Sequence, residues 1–162
     1  MRAPLDAFAL PSRFTRRSEV LQNEGMLPLA LALLAVTFPQ GEAVLRTPTK
    51  SVTIKVELAR TPAQTQQGLM GRTSLPRNAG MVFLFGQPTN GSFWMKDTKI
   101  PLSIAFFGKR GRILRIMDMT PCLTEPCRTY SPGTAYWGAL EVNRGAFKRW
   151  RVRAGNYVTI RR

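Results

Sequence analysis

The residues best suited to chemistry in this chain are two charged side chains in one short turn. Lys96 and Asp97 follow Trp94 and precede Pro101, between two strand-like apolar runs. An ammonium group, a carboxylate and an aromatic face can line a pocket, where burial and neighbouring charges shift pKa values. The same residues also suit a structural turn in which Asp97 accepts backbone N–H bonds, Lys96 stays in solvent and Trp94 is core. Both interpretations are open.

Two further charged residues are candidates for the same pocket. Arg72 follows Gly71, where we predict that a helix ends, and Glu141 is a lone acid in an apolar run. If Glu141 points into the protein it needs a cationic partner, which Arg72 or Lys96 can supply. We therefore predict one candidate pocket at the turn from Trp94 to Pro101, formed by Arg72, Trp94, Lys96, Asp97 and Glu141.

The chain contains no histidine, so the commonest general base and metal ligand is missing. Mechanisms of the Ser-His-Asp, Cys-His and His-zinc types are excluded. Only five of the nine acids lie beyond residue 43, and nothing in their spacing pairs two of them for glycoside hydrolysis. No phosphate-binding glycine motif is present. We predict no catalytic residue, cofactor or metal, with an enzyme of unknown reaction using Lys96, Asp97 and Glu141 as the alternative.

Methionines give a third hypothesis. Met117 and Met119 fall on one face of a predicted strand, and thioether sulfurs are soft ligands that suit Cu(I). With Met95 nearby, they could form a copper site. Methionine is also an ordinary filler of hydrophobic cores, which is the alternative explanation.

Both cysteines lie in one short loop, at Cys122 and Cys127. In an oxidising compartment the natural interpretation is a disulfide that shapes this loop. A redox-active pair or half a zinc site are the competing interpretations. Four intervening residues exceed the two of a thioredoxin-like pair, and zinc would need two further nitrogen or sulfur ligands.

Several blocks of sequence accompany the turn. They are Gly68 to Arg72, Gly80 to Phe85, Gly91 to Leu102 and Ala139 to Val142. Taken together, these blocks resemble the uncharacterised family called domain of unknown function 192, DUF192, over about Val52 to Val158. The resemblance implies a fold family but names no reaction.

Two positions depart from the pattern that the resemblance implies. The family commonly carries an asparagine where this chain has Asp97, and an aspartate where it has Ser103. An acid has therefore moved from one side of Pro101 to the other. Any family site that relied on the later aspartate is in doubt here.

Hydrophobic periodicity predicts a mainly β (α+β) fold. Residues 51–58 alternate apolar and polar side chains, as a half-buried strand does. Thr61 and Gln64 have the spacing of a capping box, which predicts one short helix near residues 62–70 that ends near Gly71. Further strands are predicted at 81–85, 92–96, 102–107, 112–119, 136–142 and 157–160, with one helical turn at 146–150. We expect a compact β-barrel or sandwich of short strands.

The N-terminal residues have the pattern of an export signal. Arginines precede an apolar run from Met26 to Phe38, and Gly41-Glu42-Ala43 follows as a cleavage pattern. We predict a cleaved signal over residues 1–43, an extended leader over 44–50 and one DUF192-like domain over 51–162. The apolar run is shorter than the roughly 20 residues of a membrane anchor. Translation could start at Met1 or at Met26.

The chain carries a net charge of +15, which attracts anionic polymers over a salt-dependent range. Anionic envelope polymers are therefore candidate partners, and we expect no specific nucleic acid. An arginine-rich proteome would explain the same charge. The sequence favours an exported, monomeric binding or accessory protein, extracellular or at the cell envelope, whose ligand is unknown.

Overall fold

The computed structural model describes residues 35–162, so most of the predicted export signal lies outside it. Within that range the chain forms nine strands and two short helices. In chain order they are β1 (Gln40–Arg46), β2 (Ser51–Ala59), α1 (Pro62–Gln67), β3 (Ala79–Thr89), β4 (Phe93–Trp94), β5 (Leu102–Phe107), β6 (Ile113–Met119), β7 (Thr129–Tyr130), β8 (Tyr136–Asn143), α2 (Ala146–Trp150) and β9 (Tyr157–Arg161). Neither helix in residues 35–162 has the length and apolar character needed to cross a membrane.

Seven strands form one curled sheet in the order β6-β5-β8-β3-β2-β1-β9, and β4 pairs with β7 in a small second sheet. Strands β2 and β3 are parallel, and α1 lies in the crossover between them. The two edge strands approach each other at one end, where Arg112 bridges Tyr157 and the Val158 N–H donates to the Gly111 carbonyl at 2.8 Å. The sheet is thus a half-barrel, and the predicted mainly β class is confirmed.

Apolar side chains cover both faces of the sheet. The first cluster takes residues from all seven strands and is covered by Phe147 and Trp150 of α2. The second cluster lies on the other face of β3, β5 and β8, because alternate residues of a strand point to opposite sides. Loops and the small sheet cover this second face, with Met95 and Tyr130 fully or almost fully buried there. The candidate site lies on this second face.

Helix α1 begins as the sequence predicts and ends earlier. Thr61 caps it, with the Gln64 N–H donating to Thr61 Oγ1 at 3.2 Å and the Thr61 N–H donating to Gln64 Oε1 at 3.1 Å. The predicted end near Gly71 is wrong, since the helix stops at Gln67 and Gly68 takes the positive φ of 45°. A glycine reaches such a φ at little cost, so the first one available ends the helix.

Strand β1 (Gln40–Arg46) covers the end of the predicted export signal, residues 40–43, and the start of the predicted extended leader, residues 44–46. Residues 40–46 pair with β2 on one side and β9 on the other, and Ala43 and Leu45 are fully buried. Three successive residues are buried here, so the strand lacks the alternation that sequence analysis requires. Pro48 lies in the following turn, where the Thr47 N–H donates to the Lys50 carbonyl at 2.9 Å.

The β5–β6 turn gives the first prediction, on Gly111. Its φ is 76°, and a Cβ atom there would collide with the Val158 carbonyl oxygen of β9. Gly71 has a nearly equal φ of 77° with no atom within 4 Å of a Cβ position. We expect Gly71→Ala to cost about 1 kcal/mol for the left-handed backbone alone. Gly111→Ala should cost about 2 kcal/mol more, because β9 must move.

Thermal and urea unfolding of the two variants measure this difference. Equal losses of stability for Gly111→Ala and Gly71→Ala would show that the edge strands do not meet at this turn.

Candidate functional site

A cavity of about 180 Å³ lies on the second face of the sheet, between the end of α1, strands β3 and β8, and the segment around β4. We call it the Glu141 cavity, because that carboxyl is the one acidic group among its sixteen lining residues. Five of the others are aromatic: Phe83, Phe85, Phe93, Trp94 and Tyr136. Its size suits a ligand of a few heavy atoms, since an apolar cavity of about 150 Å³ can hold benzene.

The aromatic walls are fixed by strand geometry and ring packing. Phe83 and Phe85 are two residues apart on β3 and so point to the same face. Phe93 of β4 packs edge-on against Phe83, with ring centroids 4.8 Å apart, and against Phe106 at 5.7 Å. These contacts hold the short strand β4 against the sheet. The neighbouring Trp94 remains 48% exposed, at the mouth of the cavity.

Tyr136 ties the segment before β4 to strand β8. Its hydroxyl donates a hydrogen bond to the Gly91 carbonyl at 2.8 Å, although the two residues are 45 positions apart. Burial raises the pKa of Tyr136 to about 12. The phenol is therefore neutral across the physiological range and keeps its proton for this bond.

Glu141 lies in the middle of β8 with its side chain almost fully buried, at 4% exposure. In the ladder it is paired with Met81 of β3 and Ile104 of β5, both apolar. Burial raises the pKa of Glu141 to about 8, and no cation or hydrogen bond from residues 35–162 lowers it. The carboxyl is thus largely protonated at pH 7, a neutral polar group that faces the cavity.

The predicted pairing of Glu141 with Arg72 or Lys96 is wrong. Arg72 forms a two-pronged salt bridge with Glu57 of β2, at 2.7 and 2.5 Å. Lys96 pairs with Glu125 at 2.6 Å, and its ammonium lies 5.5 Å from the centroid of the Trp94 ring. Both cations are engaged by other acids, and no cation of residues 35–162 forms a salt bridge with Glu141.

The structure divides the predicted pocket. Trp94 and Glu141 line the Glu141 cavity together. Lys96 and Asp97 lie at an adjacent, more open hollow, which Trp94 also borders. Arg72 lines neither. The geometry therefore separates the Lys96 ammonium from the Glu141 carboxyl, and the two do not form one reactive pair.

Asp97 has a conformational role in the turn. Its φ is 53°, in the left-handed region that asparagine, aspartate and glycine tolerate best. Its carbonyl accepts the Gly71 N–H at 2.9 Å, and its own N–H donates to the Cys122 carbonyl at 3.0 Å. The turn is thus held between the loop after α1 and the cysteine loop by backbone bonds, which need no carboxylate.

From this follows a prediction for Asp97. Asparagine favours the same conformation, so Asp97→Asn should change stability by less than about 0.5 kcal/mol, whereas Asp97→Ala should cost about 1 kcal/mol. Thermal unfolding measures both. If Asp97→Asn proves as damaging as Asp97→Ala, the carboxylate rather than the backbone angle is what matters.

The cysteine loop supports the turn from the other side. Cys122 and Cys127 are joined with their Cα atoms 5.7 Å apart, so the predicted pair is at disulfide distance. The Cys122 N–H donates to the Met95 carbonyl at 3.2 Å. Glu125, the partner of Lys96, belongs to the same loop. The cysteine loop thus holds the turn by backbone hydrogen bonds and also supplies the acid that pairs with Lys96.

Ser103 stands outside the Glu141 cavity. It faces the same side as Ala105 of the first cluster, donates to Asp118 Oδ1 at 2.5 Å and accepts the Gly145 N–H at 2.9 Å. Ser103, one of the two positions that depart from the family pattern, therefore contacts Gly145 at the start of α2. It does not line the Glu141 cavity.

The methionines are placed mainly as core residues. Met81, Met95 and Met119 are fully buried in the second cluster, and Met117 packs against it. Met70 is partly exposed and lines the Glu141 cavity. Their neighbours are aliphatic and aromatic side chains, the surroundings of gap-filling methionines.

Residues 35–162 thus form a small half-barrel domain with an aromatic-walled cavity of about 180 Å³ on the second face of its sheet. The sequence profile of DUF192, described as "Uncharacterized ACR, COG1430", matches residues 43–160. The chain belongs to the DUF192 family, as the sequence blocks predicted. The match includes the second half of β1, upstream of the span that we predicted. No curated protein matches the chain significantly.

Two of the solved structures that are similar to this domain illustrate the resemblance. One is a protein from Sinorhizobium meliloti 1021 named as a "putative transcription regulator", with 30% identity, a TM-score of 0.71, and coverage of 78% of this chain and 97% of that one. The other is a protein of unknown function from Novosphingobium aromaticivorans DSM 12444, with 32% identity, a TM-score of 0.66, and coverage of 73% and 83%. Neither name supplies a reaction.

Sequence reasoning missed most of the cavity wall. Phe83 and Phe85 were assigned to a buried strand, and Tyr136 to the start of another, without a role in a site. The sequence pattern that could have indicated the cavity is a pair of aromatic residues two positions apart on one strand, Phe83 and Phe85, together with a lone acid, Glu141, on another. Without the strand order, nothing shows that these two features share a face.

Proposed function

We propose that this domain binds a small molecule in the Glu141 cavity, and that it serves as an exported binding or accessory protein at the cell envelope. One observation carries the binding proposal: the Glu141 carboxyl, which has no ion-pair partner among residues 35–162, opens into a cavity with aromatic walls. Burying such a group without compensation lowers stability. A ligand that contacts the carboxyl would supply the compensation.

The proposed location is supported by the N-terminal pattern, by the cysteine pair at disulfide distance and by the net charge of +15. Disulfides persist in oxidising compartments. A basic surface is attracted to the anionic polymers of an envelope, and this attraction weakens as salt is added. Fractionation of host cells tests the location independently of binding.

The enzyme hypothesis receives less support from the geometry, because Lys96 and Asp97 lie outside the cavity that holds Glu141. The Sinorhizobium meliloti relative is named as a "putative transcription regulator", and we do not extend that role to this chain. The two helices of residues 35–162 here have six and five residues, whereas a helix-turn-helix protein places a recognition helix in the major groove.

Blocking the cavity tests the proposed binding. Ser92 is an exposed residue of the cavity lining, so Ser92→Trp should fill the mouth without disturbing the core. Ser51 is an exposed serine at the start of β2, outside the lining, and Ser51→Trp is the matched control. We expect saturation-transfer NMR with a panel of small alcohols, amines and carboxylic acids to give hits for the wild type and for Ser51→Trp.

Ser92→Trp should lose those hits. A panel that gives none with the wild type, or hits that survive in Ser92→Trp, would contradict binding in this cavity.

A further inference from the structure

The lining of the Glu141 cavity has an unusual charge composition for this chain. Four of its 24 Lys and Arg lie in residues 1–34, so the described domain holds 20 of them. Among residues 35–162, sixteen line the cavity; none of these is Lys or Arg, and one is an acid. The cavity thus holds a buried carboxyl and no cationic side chain, although the domain as a whole is strongly basic. This composition favours a ligand that carries a positive charge.

The walls point the same way. Aromatic faces attract cations through the ring quadrupole, and groups of aromatic rings are used in proteins to recognise alkylated ammonium ions. Here the rings of Phe83, Phe85, Phe93, Trp94 and Tyr136 line the cavity together with Glu141. Lys96 already lies over the Trp94 ring. That contact is a cation–π pair of the kind that we infer for the ligand.

We propose that the Glu141 cavity binds an organic ammonium ion, with the aromatic walls around the alkylated nitrogen and the Glu141 carboxylate as its counter-ion. This inference rests on the proposed function, because it names the ligand class of the same cavity. A primary or alkylated amine of a few heavy atoms fits the volume of about 180 Å³. The ligand's ammonium group would be the cationic partner that no side chain of residues 35–162 provides for Glu141.

Binding of a cation must then be coupled to a proton. The Glu141 carboxyl is largely protonated at pH 7, so an arriving ammonium displaces its proton to solvent. Among residues 35–162, the only other titratable group that lines the cavity is Tyr136, which stays neutral. The ladder neighbours of Glu141 are the apolar Met81 on β3 and Ile104 on β5, and the lining residues of α1, Thr65 to Gln67, are uncharged. The coupled proton therefore comes from Glu141.

Two probes of nearly the same shape test the inference. Choline carries a trimethylammonium group, and 3,3-dimethylbutan-1-ol is its neutral carbon analogue. Isothermal titration at pH 7, in two buffers that differ in ionisation enthalpy, should show choline binding with release of close to one proton. Choline affinity should rise about tenfold from pH 6 to pH 7 and level off above pH 8. The neutral alcohol should bind more weakly and release no proton.

Two variants test whether choline binding and proton release depend on Glu141. Glu141→Gln should lower choline affinity at least about tenfold and abolish proton release. In a protein that begins at Ala35 and so retains β1, Glu42→Gln removes an exposed acid outside the cavity and should change neither. Co-sedimentation with vesicles of pure phosphatidylcholine distinguishes a lipid headgroup from a free amine as the source of the ammonium group.

The outcomes separate the inference from the proposed function. Alcohol binding as tight as choline binding, without proton release, would overturn the ammonium inference and leave small-molecule binding intact. A wild type that binds neither probe, and also fails the panel of small compounds, would overturn both. Choline binding that is unchanged in Glu141→Gln would overturn the assigned counter-ion and the inference with it.

Discussion

Glu141→Gln is expected to be more stable than the wild type at pH 8.5 and equally stable at pH 4. The folded protein holds the pKa of Glu141 at about 8, whereas an unfolded chain leaves it near 4.5. A carboxyl with a raised folded pKa stabilises the protein fully below its unfolded pKa, and that contribution is lost as the pH rises through the folded pKa. Glutamine resembles the neutral acid in shape and has no proton to lose.

The expected size of this effect follows from linkage. The wild type should lose about 1.4 kcal/mol of unfolding free energy per pH unit relative to Glu141→Gln, from about pH 4.5 to about pH 8. Urea unfolding at intervals of one pH unit measures the difference between the two proteins, so that other titrating groups cancel. Glu42→Gln is the matched control, and it should follow the wild type. Parallel profiles for the wild type and Glu141→Gln would mean that the carboxyl is not buried.

A protein that begins at Val44 is expected to be far less stable than one that begins at Ala35. The shorter form lacks Gln40 to Ala43, which removes most of the β1 pairing with β2 and two of its five pairs with β9. It also removes the fully buried Ala43 and the Pro39 carbonyl that accepts the Leu58 N–H at 2.8 Å. We expect a loss of at least about 3 kcal/mol from lost packing and pairing.

Unfolding of the two purified forms tests this, with a form that begins at Gln40 as the intermediate case. The result bears on the predicted cleavage after Ala43, which would produce the shortest form. Equal stability of the Val44 and Ala35 forms would show that cleavage there is compatible with folding. A large loss would place any processing site upstream of β1, which N-terminal sequencing of the exported protein would locate.

The elements of the fold could largely be predicted because most of them have a local signal. Strand β5 and helix α2 have the predicted bounds, and the capping box at Thr61 is present as expected. Strand β1 could not be predicted, because a strand between two others and buried on both faces lacks alternation. The parallel pairing of β2 with β3 also left no local trace, since it depends on contacts between distant segments.

The candidate site could be predicted only in part. Glu141 and Trp94 were identified from their residue types and neighbours, and they share the cavity. The partners of Arg72 and Lys96 were misassigned because Glu57 and Glu125 are brought to them by the register of β2 and by the cysteine loop. Which acid pairs with a given cation depends on the distances between side chains in the folded protein, and these cannot be read from the sequence.

The pKa of Glu141 is the most direct test of whether a buried, neutral acid lines the cavity. It can be measured by ¹³C NMR of the side-chain carboxyl carbons. The chain has only nine acids, so the carboxyl spectrum is sparse, and the signal missing from Glu141→Gln assigns the residue. We expect the Glu141 signal to titrate with a midpoint at about pH 8. A midpoint near 4.5 would show a solvated carboxylate and would contradict a buried, neutral acid at the centre of the cavity.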